Sequence, residues 1–155
     1  MKVLMDTSVL VAAVLPSHSK HRPCAQWLDA AKQAAFELVV SSHTIAELYA
    51  ILTRMPVRPR ITAGTAVQFV DDILTAARPI SLSGRHYQDM VGSLAQRGLI
   101  GGVVYDAVIA KAAELESADY LLTLNKPDFD RVWPAGAARI VSPETLPPPQ
   151  LTTDN

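Results

Sequence analysis

The sequence has a single cysteine, Cys24, so no disulfide can form within the chain, and nothing in it calls for an oxidising compartment. It lacks a membrane-length apolar run: the longest, VLVAAVL from Val9 to Leu15, falls far short of the ~20 residues a helical span needs. An apolar stretch does follow Lys2, but Asp6 interrupts it too early for the core of a secretory signal. These absences predict a soluble protein of a reducing cytoplasm. An excess of either charge is missing as well. With 14 Lys and Arg against 15 Asp and Glu, the net charge of −1 gives no overall field to attract a polyanion. Any contact with nucleic acid would have to use local basic patches.

What is present is apolar: hydrophobic residues make up 49% of 155, which excludes disorder for the body of the chain and suits one domain with a real core. The expected division is an α/β domain over residues 1–145 and a disordered tail over 146–155, containing PPPQLTTDN. No internal repeat or linker splits the body.

The order of elements follows from apolar patterning and breakers. Lys2 to Met5 reads as a strand, and Ser8 to Leu15 as an apolar helix stopped by Pro16. Arg22 to Ala35 is a helix with Cys24, Leu28, Ala31 and Ala35 on one stripe, and Phe36 to Val40 is a buried strand. Ser41 and Ser42 introduce the helix HTIAELYAILTR, and Met55 to Arg60 is a basic, proline-broken connection. Helices over Thr65–Ala76 and Arg85–Gln96 flank a short strand at Pro79–Leu82. Tyr105–Glu116 is helical, Asp119–Thr123 a strand, Leu124–Phe129 a polar turn and Arg139–Val141 a last strand. This alternation predicts an α/β fold with a largely parallel sheet and helices on both faces.

Ligands of open parallel sheets bind beyond the carboxyl ends of the strands. Asp6 directly follows the first strand, Glu47 lies shortly after the second, and Asn125 and Asp128 follow DYLLT. Asp106 stands near the start of the helix leading into that last strand. Glu47, within IAELYAIL, and Asp106, within GGVVYDAVIA, sit in surroundings too apolar for ordinary surface charges. Each acid has a second reading. Asp6 can cap a helix, Glu47 can close a capping box with Thr44, and Asp106 can favour the positive end of a helix dipole. Asp128 fits an ordinary turn.

Taken together the acids raise an energetic question. Two carboxylates about 5 Å apart repel by about 3 kcal/mol at an effective dielectric near 20, so three of them need a cation. All-oxygen ligation suits a hard ion such as Mg2+ or Mn2+, which can activate water and steady the leaving oxygen of a phosphodiester. Zinc fits poorly, because His18, His21, His43 and His86 are dispersed and Cys24 lies on a core-facing stripe. His43 reads as a residue of a helix cap. The segment TRMPVRPR supplies Arg54, Arg58 and Arg60; a solvated loop is the commoner meaning of such a stretch, and holding RNA phosphates is the other.

Four segments, VLMDTSVLVA, SSHTIAELYAILTR, YDAVIAKAAE and YLLTLNKPDF, occur in an order and spacing that resemble the PIN-domain family, and within it the VapC-type toxins of bacterial toxin–antitoxin pairs. The resemblance implies a five-stranded parallel sheet between helices, with Asp6, Glu47 and Asp106 as catalytic, metal-binding acids. Asn125 matches a position that is often Asp, and Asp128 is the nearby candidate to compensate. Thr7, Ser8 and Thr123 would orient carboxylates or waters. It further implies a magnesium-dependent endoribonuclease acting on RNA, a homodimer, and a cognate antitoxin bound next to the active site. The helices around TIAELYAILTR and TAVQFVDDIL offer an apolar groove for a partner helix, whose Arg would reach the carboxylates. Two rivals remain: a haloacid dehalogenase-like phosphatase, whose DxDxT would need an acid where Ser8 stands, and a non-catalytic PIN-like module that binds RNA or protein.

Overall fold

The computed structural model describes residues 1–150; the end of the predicted tail, 151–155, lies outside the described residues. Strands β1 (Lys2–Met5), β2 (Glu37–Ser41), β3 (Ala77–Ile80), β4 (Tyr120–Leu122) and β5 (Ile140–Val141) form a five-stranded sheet in the order β3-β2-β1-β4-β5. Every pairing is parallel. The connecting helices are α1 (Thr7–Val14), α2 (His21–Lys32), α3 (Ser42–Arg54), α4 (Ala63–Leu74), α5 (Gly84–Gln96), α6 (Val103–Leu115) and α7 (Lys126–Val132). The expected parallel α/β architecture is the one the chain adopts.

Strand side chains alternate between two cores. Val3, Met5, Leu38, Val40 and Leu122 meet Leu10, Trp27, Leu48 and Ile73 from the α1–α4 layer. Leu4, Val39, Leu121 and Ile140 point the other way, onto Ile109, Ala112 and Ala113 of α6 and Phe129 of α7. Burial on both faces explains why the strands read as continuous apolar runs. Helix α1 is itself buried from Val9 to Ala13, which accounts for VLVAAVL without a membrane. No helix among the described residues is long and apolar enough to cross one.

Three expectations need correction. The edge strand is Ala77–Ile80 rather than Pro79–Leu82, because its register against β2 starts at Leu38↔Ala77. Pro79 is tolerated there since an edge position does not require its missing N–H. The expected polar turn at Leu124–Phe129 is instead the approach to α7, which starts at Lys126–Pro127 with proline in its first turn and buries only Phe129. Finally, Leu146, expected in the tail, packs on the larger core, and its carbonyl accepts from Trp27 Nε1 at 2.9 Å.

At the amino-terminal edge of the sheet, Arg78 donates to Glu37 at 2.6 Å and to Glu116 at 2.7 Å, and Lys2 reaches Glu116 at 3.0 Å. Hydrogen bonds from Arg78 and then Lys2 hold the Glu116 carboxyl down at about 2. Acids at this edge are matched by cations; at the opposite edge, of Asp6, Glu47, Asp106 and Asp128, only Asp128, 3.8 Å from Arg131, has a Lys or Arg partner among the described residues.

Candidate active site

The chain leaves β1 toward β2 on one side and later returns to place β4 on the other, so the β1/β4 boundary is where the strand order reverses, the position at which open parallel sheets bind ligands. Asp6 stands there, its backbone N–H donating to the Leu122 carbonyl at 2.9 Å. By backbone geometry it is the N-cap of α1, but its side chain makes no capping hydrogen bond. Instead Oδ2 accepts from Ser8 Oγ at 2.6 Å and from Thr123 Oγ1 at 2.9 Å. Each hydroxyl is aimed in turn by a backbone donor: Leu124 N–H reaches Ser8 at 3.1 Å, and Asn125 N–H reaches Thr123 at 2.9 Å. Asp6 is 5% exposed, and burial, with the charge of Glu47, keeps its carboxyl above the usual range despite these hydroxyls.

Glu47 arrives from the neighbouring strand. Helix α3 begins at Ser42 with Ser41 as its cap, the Ser41 hydroxyl accepting from His43 N–H at 3.3 Å. Thr44 is therefore already inside the helix, and the Thr44–Glu47 capping box does not form. The Glu47 carboxylate accepts from Thr7 Oγ1 at 2.9 Å, and Thr7 also lies 3.4 Å from Thr44 Oγ1. His43, one turn earlier on α3, brings Nε2 to 3.3 Å from Glu47 Oε2. That nitrogen is buried and has no aligned hydrogen-bond partner among the described residues.

Asp106 lies in the first turn of α6. Burial above all, then the charges of Asp6, Asp128 and Glu47, push its carboxyl up to about 6. These influences act in one direction, and they bring the acids of distant segments into one electrostatic neighbourhood. Asp128 sits in the first turn of α7 rather than in a turn, where Asn125 Nδ2 donates to its Oδ2 at 2.5 Å. Asn125 thus steadies an acid that occupies the same neighbourhood.

The cation beside the cluster is Arg131 of α7, 3.8 Å from Asp128, and not one of the three arginines singled out in the sequence. Arg54 is the last residue of α3, about 10 Å along the helix from Glu47, and Arg58 and Arg60 lie exposed in the following loop. Cys24 is buried core, its thiol raised to about 11 chiefly by burial. Two residues of the site's rim were not assigned to it from the sequence: His43, read only as a residue of a helix cap, and Tyr105. The His43 ring stacks on Tyr105 with centroids 5.2 Å apart and planes 4° from parallel. The available signal was position: His43 precedes Glu47 by one helical turn, and Tyr105 adjoins Asp106.

No group of three or more His, Cys, Asp or Glu side chains among the described residues is closed to metal-holding distances. The donor set nevertheless fits a hard divalent ion. It is oxygen-only at Asp6, Glu47 and Asp106, and such an ion keeps several waters and needs few direct protein ligands.

Fold and site define an α/β domain with an acidic cluster at its topological switch. The chain belongs to the PIN domain family, whose profile matches residues 3–132. It is similar to Ribonuclease VapC27 of Mycobacterium tuberculosis, with 33% identity over 115 residues covering 74% of this chain and 79% of the relative. Ribonuclease VapC40 of the same organism is 30% identical over 116 residues, covering 75% of this chain and 81% of the relative. Among solved structures, the fold is similar to that in the VapBC2 complex of Rickettsia felis bound to a DNA fragment from its promoter. That match has a TM-score of 0.63 at 23% identity and covers 92% of this chain and 98% of the other. The M. tuberculosis toxin VapC20, which cleaves the sarcin-ricin loop, gives a TM-score of 0.59 at 16% identity, covering 77% of this chain and 86% of the other.

Proposed function

We propose that this chain is a magnesium-dependent endoribonuclease and the toxin of a type II toxin–antitoxin pair. One observation carries the reading: Asp6, held by Ser8 and Thr123 at the end of β1, Glu47 of α3, held by Thr7, and Asp106, in the first turn of α6, converge at the switch point of the sheet, where burial and the neighbouring acids raise the Asp106 carboxyl. A constellation that repels itself in this way is stabilised by a bound cation. Its relatives named as ribonucleases support the same conclusion.

Asp6, Glu47 and Asp106 would hold the ion, which when bound supplies positive charge against the phosphate and makes water a stronger nucleophile. The protein's own contribution is pre-organisation. Ser8 and Thr123 fix the Asp6 carboxylate, Thr7 fixes Glu47, and Asn125 holds Asp128 where an additional acid serves the cluster. The electrostatic reach of Asp128 to Asp106 favours catalysis over the non-catalytic module that Asn125 alone suggested. Ser8, donating a hydrogen bond where a DxDxT phosphatase has its second acid, argues against the dehalogenase-type reading.

The proposed partners are an RNA substrate, a second copy of the chain and an antitoxin. Tyr49 on α3 and Val67 on α4 are exposed apolar residues, suited to the apolar face of an antitoxin helix. A partner Arg could pair with carboxylates of the site through its planar fork. The buried single cysteine fits action in a reducing cytoplasm.

Purified protein tested on total RNA, in excess EDTA and after add-back of Mg2+ or Mn2+, checks the reading. Cleavage is expected only with the ion and only with Asp6 intact. Cleavage that persists in EDTA and in Asp6→Asn overturns it. In cells, expression without the neighbouring small reading frame is expected to arrest growth, and co-expression of that frame to relieve the arrest.

A further inference from the structure

The carboxylate site presents a recognition problem. A polyanionic substrate must approach several negative charges, while Arg54, Arg58 and Arg60 stand away from them. Arg131, 3.8 Å from Asp128, can offer a phosphate contact at one side of the cluster, and an uncharged source of affinity can act beside it. Stacking of a nucleobase on an aromatic ring is such a source and is indifferent to phosphate charge.

The rim of the site has such a ring. Tyr105 is 54% exposed although it directly precedes Asp106, and its neighbours on α6 from Ala107 to Ala110 are buried. One face of the ring is covered by His43, nearly parallel at 5.2 Å between centroids. His43 is itself fixed by its place in the first turn of α3 and by packing that buries Nε2 beside Glu47. The pair thus bridges the starts of α3 and α6, the two helices that carry Glu47 and Asp106. A large aromatic ring, oriented from behind and open in front, costs little further entropy on binding.

We propose that the outer face of Tyr105, backed by His43, is the stacking platform for an unpaired RNA base next to the cleaved phosphodiester. The proposal rests on the nuclease reading and assigns a base-binding residue to the same site. Base-paired RNA cannot use the platform, because its bases already stack on one another. Binding through Tyr105 tolerates any base, since every base presents a π face.

The test uses the full chain carrying Asp106→Asn, with Mg2+, so that RNA is bound without being consumed. The probe is a short single-stranded oligoadenylate containing 2-aminopurine, and a hairpin duplex of similar length is the comparison. Single-stranded RNA is expected to bind more tightly than the hairpin and to quench the 2-aminopurine signal. Adding Tyr105→Ala should weaken that binding on the order of tenfold and remove the quenching. Tyr105→Phe should preserve both. Tyr105→Leu, which retains apolar bulk without a ring, should behave as Ala does and serves equally if the Ala variant melts early. Unchanged affinity and quenching in the Ala or Leu variant overturns the platform while leaving the nuclease reading intact. Binding of the single strand no tighter than the hairpin by the Tyr105-containing protein also overturns the platform, whereas the nuclease reading stands or falls on the metal-dependent cleavage assay.

Discussion

The Thr123 hydroxyl donates to Asp6 Oδ2 at 2.9 Å, joining the ends of two adjacent parallel strands at the point where the strand order reverses. Thr123 is fully buried and accepts in turn from the Asn125 N–H, so its proton has one productive direction. The geometry of the site and the packing of the sheet therefore meet in one hydroxyl.

Thr123→Val keeps shape and removes that donor. It leaves Asp6 with Ser8 and leaves the Asn125 N–H without its acceptor, at a cost of about 1–3 kcal/mol. RNA cleavage is expected to fall by roughly 10–100-fold, as for other groups that orient a metal ligand. Thr123→Ser should restore most of it. Equal cleavage rates for Val and the parent protein would remove Thr123 from the site's support.

Asp106→Asn should abolish cleavage yet stabilise the metal-free protein. In the folded chain its carboxyl titrates near 6 against an ordinary value of 3.8, so between those values the folded state binds more protons than the unfolded one. Stability from this group is therefore lost as pH rises from about 4 to about 6, and is not recovered above it. Asn removes the loss. After discounting for solvent screening the gain is about 1 kcal/mol, roughly 2–4 °C at this chain length. Melting curves in EDTA at pH 4.5 and 7 check it: the variant's advantage should appear chiefly at the higher pH.

The strand-to-acid step at Asp6 was legible because a parallel strand followed directly by a carboxylate needs no long-range information. Glu47 and Asp106 were legible through their apolar company, which an exposed charge would not keep. The cap of α3 was not: Ser41, Ser42 and Thr44 can all begin a helix, and only the end of β2 at Ser41 decides among them. Helix α7 escaped because one buried residue, Phe129, leaves no periodicity to read. The stack of His43 on Tyr105 joins segments far apart in the chain, and no local pattern records it.

Gly136 has a role outside the site. An added Cβ would run into the Trp133 ring, which is 7% exposed and carries Arg139 over its face at 4.5 Å. Gly136→Ala must therefore displace a buried indole from the smaller core. A loss of about 1–3 kcal/mol is expected, seen as a lower denaturation midpoint with an unchanged m-value. An Ala variant as stable as the parent would mean that the indole moves aside freely.

Glu47→Gln separates two roles that one residue could fill. Had Thr44 been the cap of α3, Glu47 would have closed a capping box, and its loss would cost stability while sparing chemistry. The cap is Ser41, and the Glu47 carboxylate accepts from Thr7 and lies beside His43. Gln is nearly isosteric, and its carbonyl oxygen can still accept from Thr7. The helix should therefore be undisturbed and melting should shift by no more than about 1 kcal/mol. What Gln cannot supply is the negative charge, so cleavage should fall steeply, and excess Mg2+ should recover part of it by mass action on a weakened ion site. The decisive comparison measures melting and Mg2+-dependent cleavage on the same preparation. Normal cleavage with early melting would return Glu47 to a structural role, whereas normal melting with weak, magnesium-responsive cleavage places its charge at the ion.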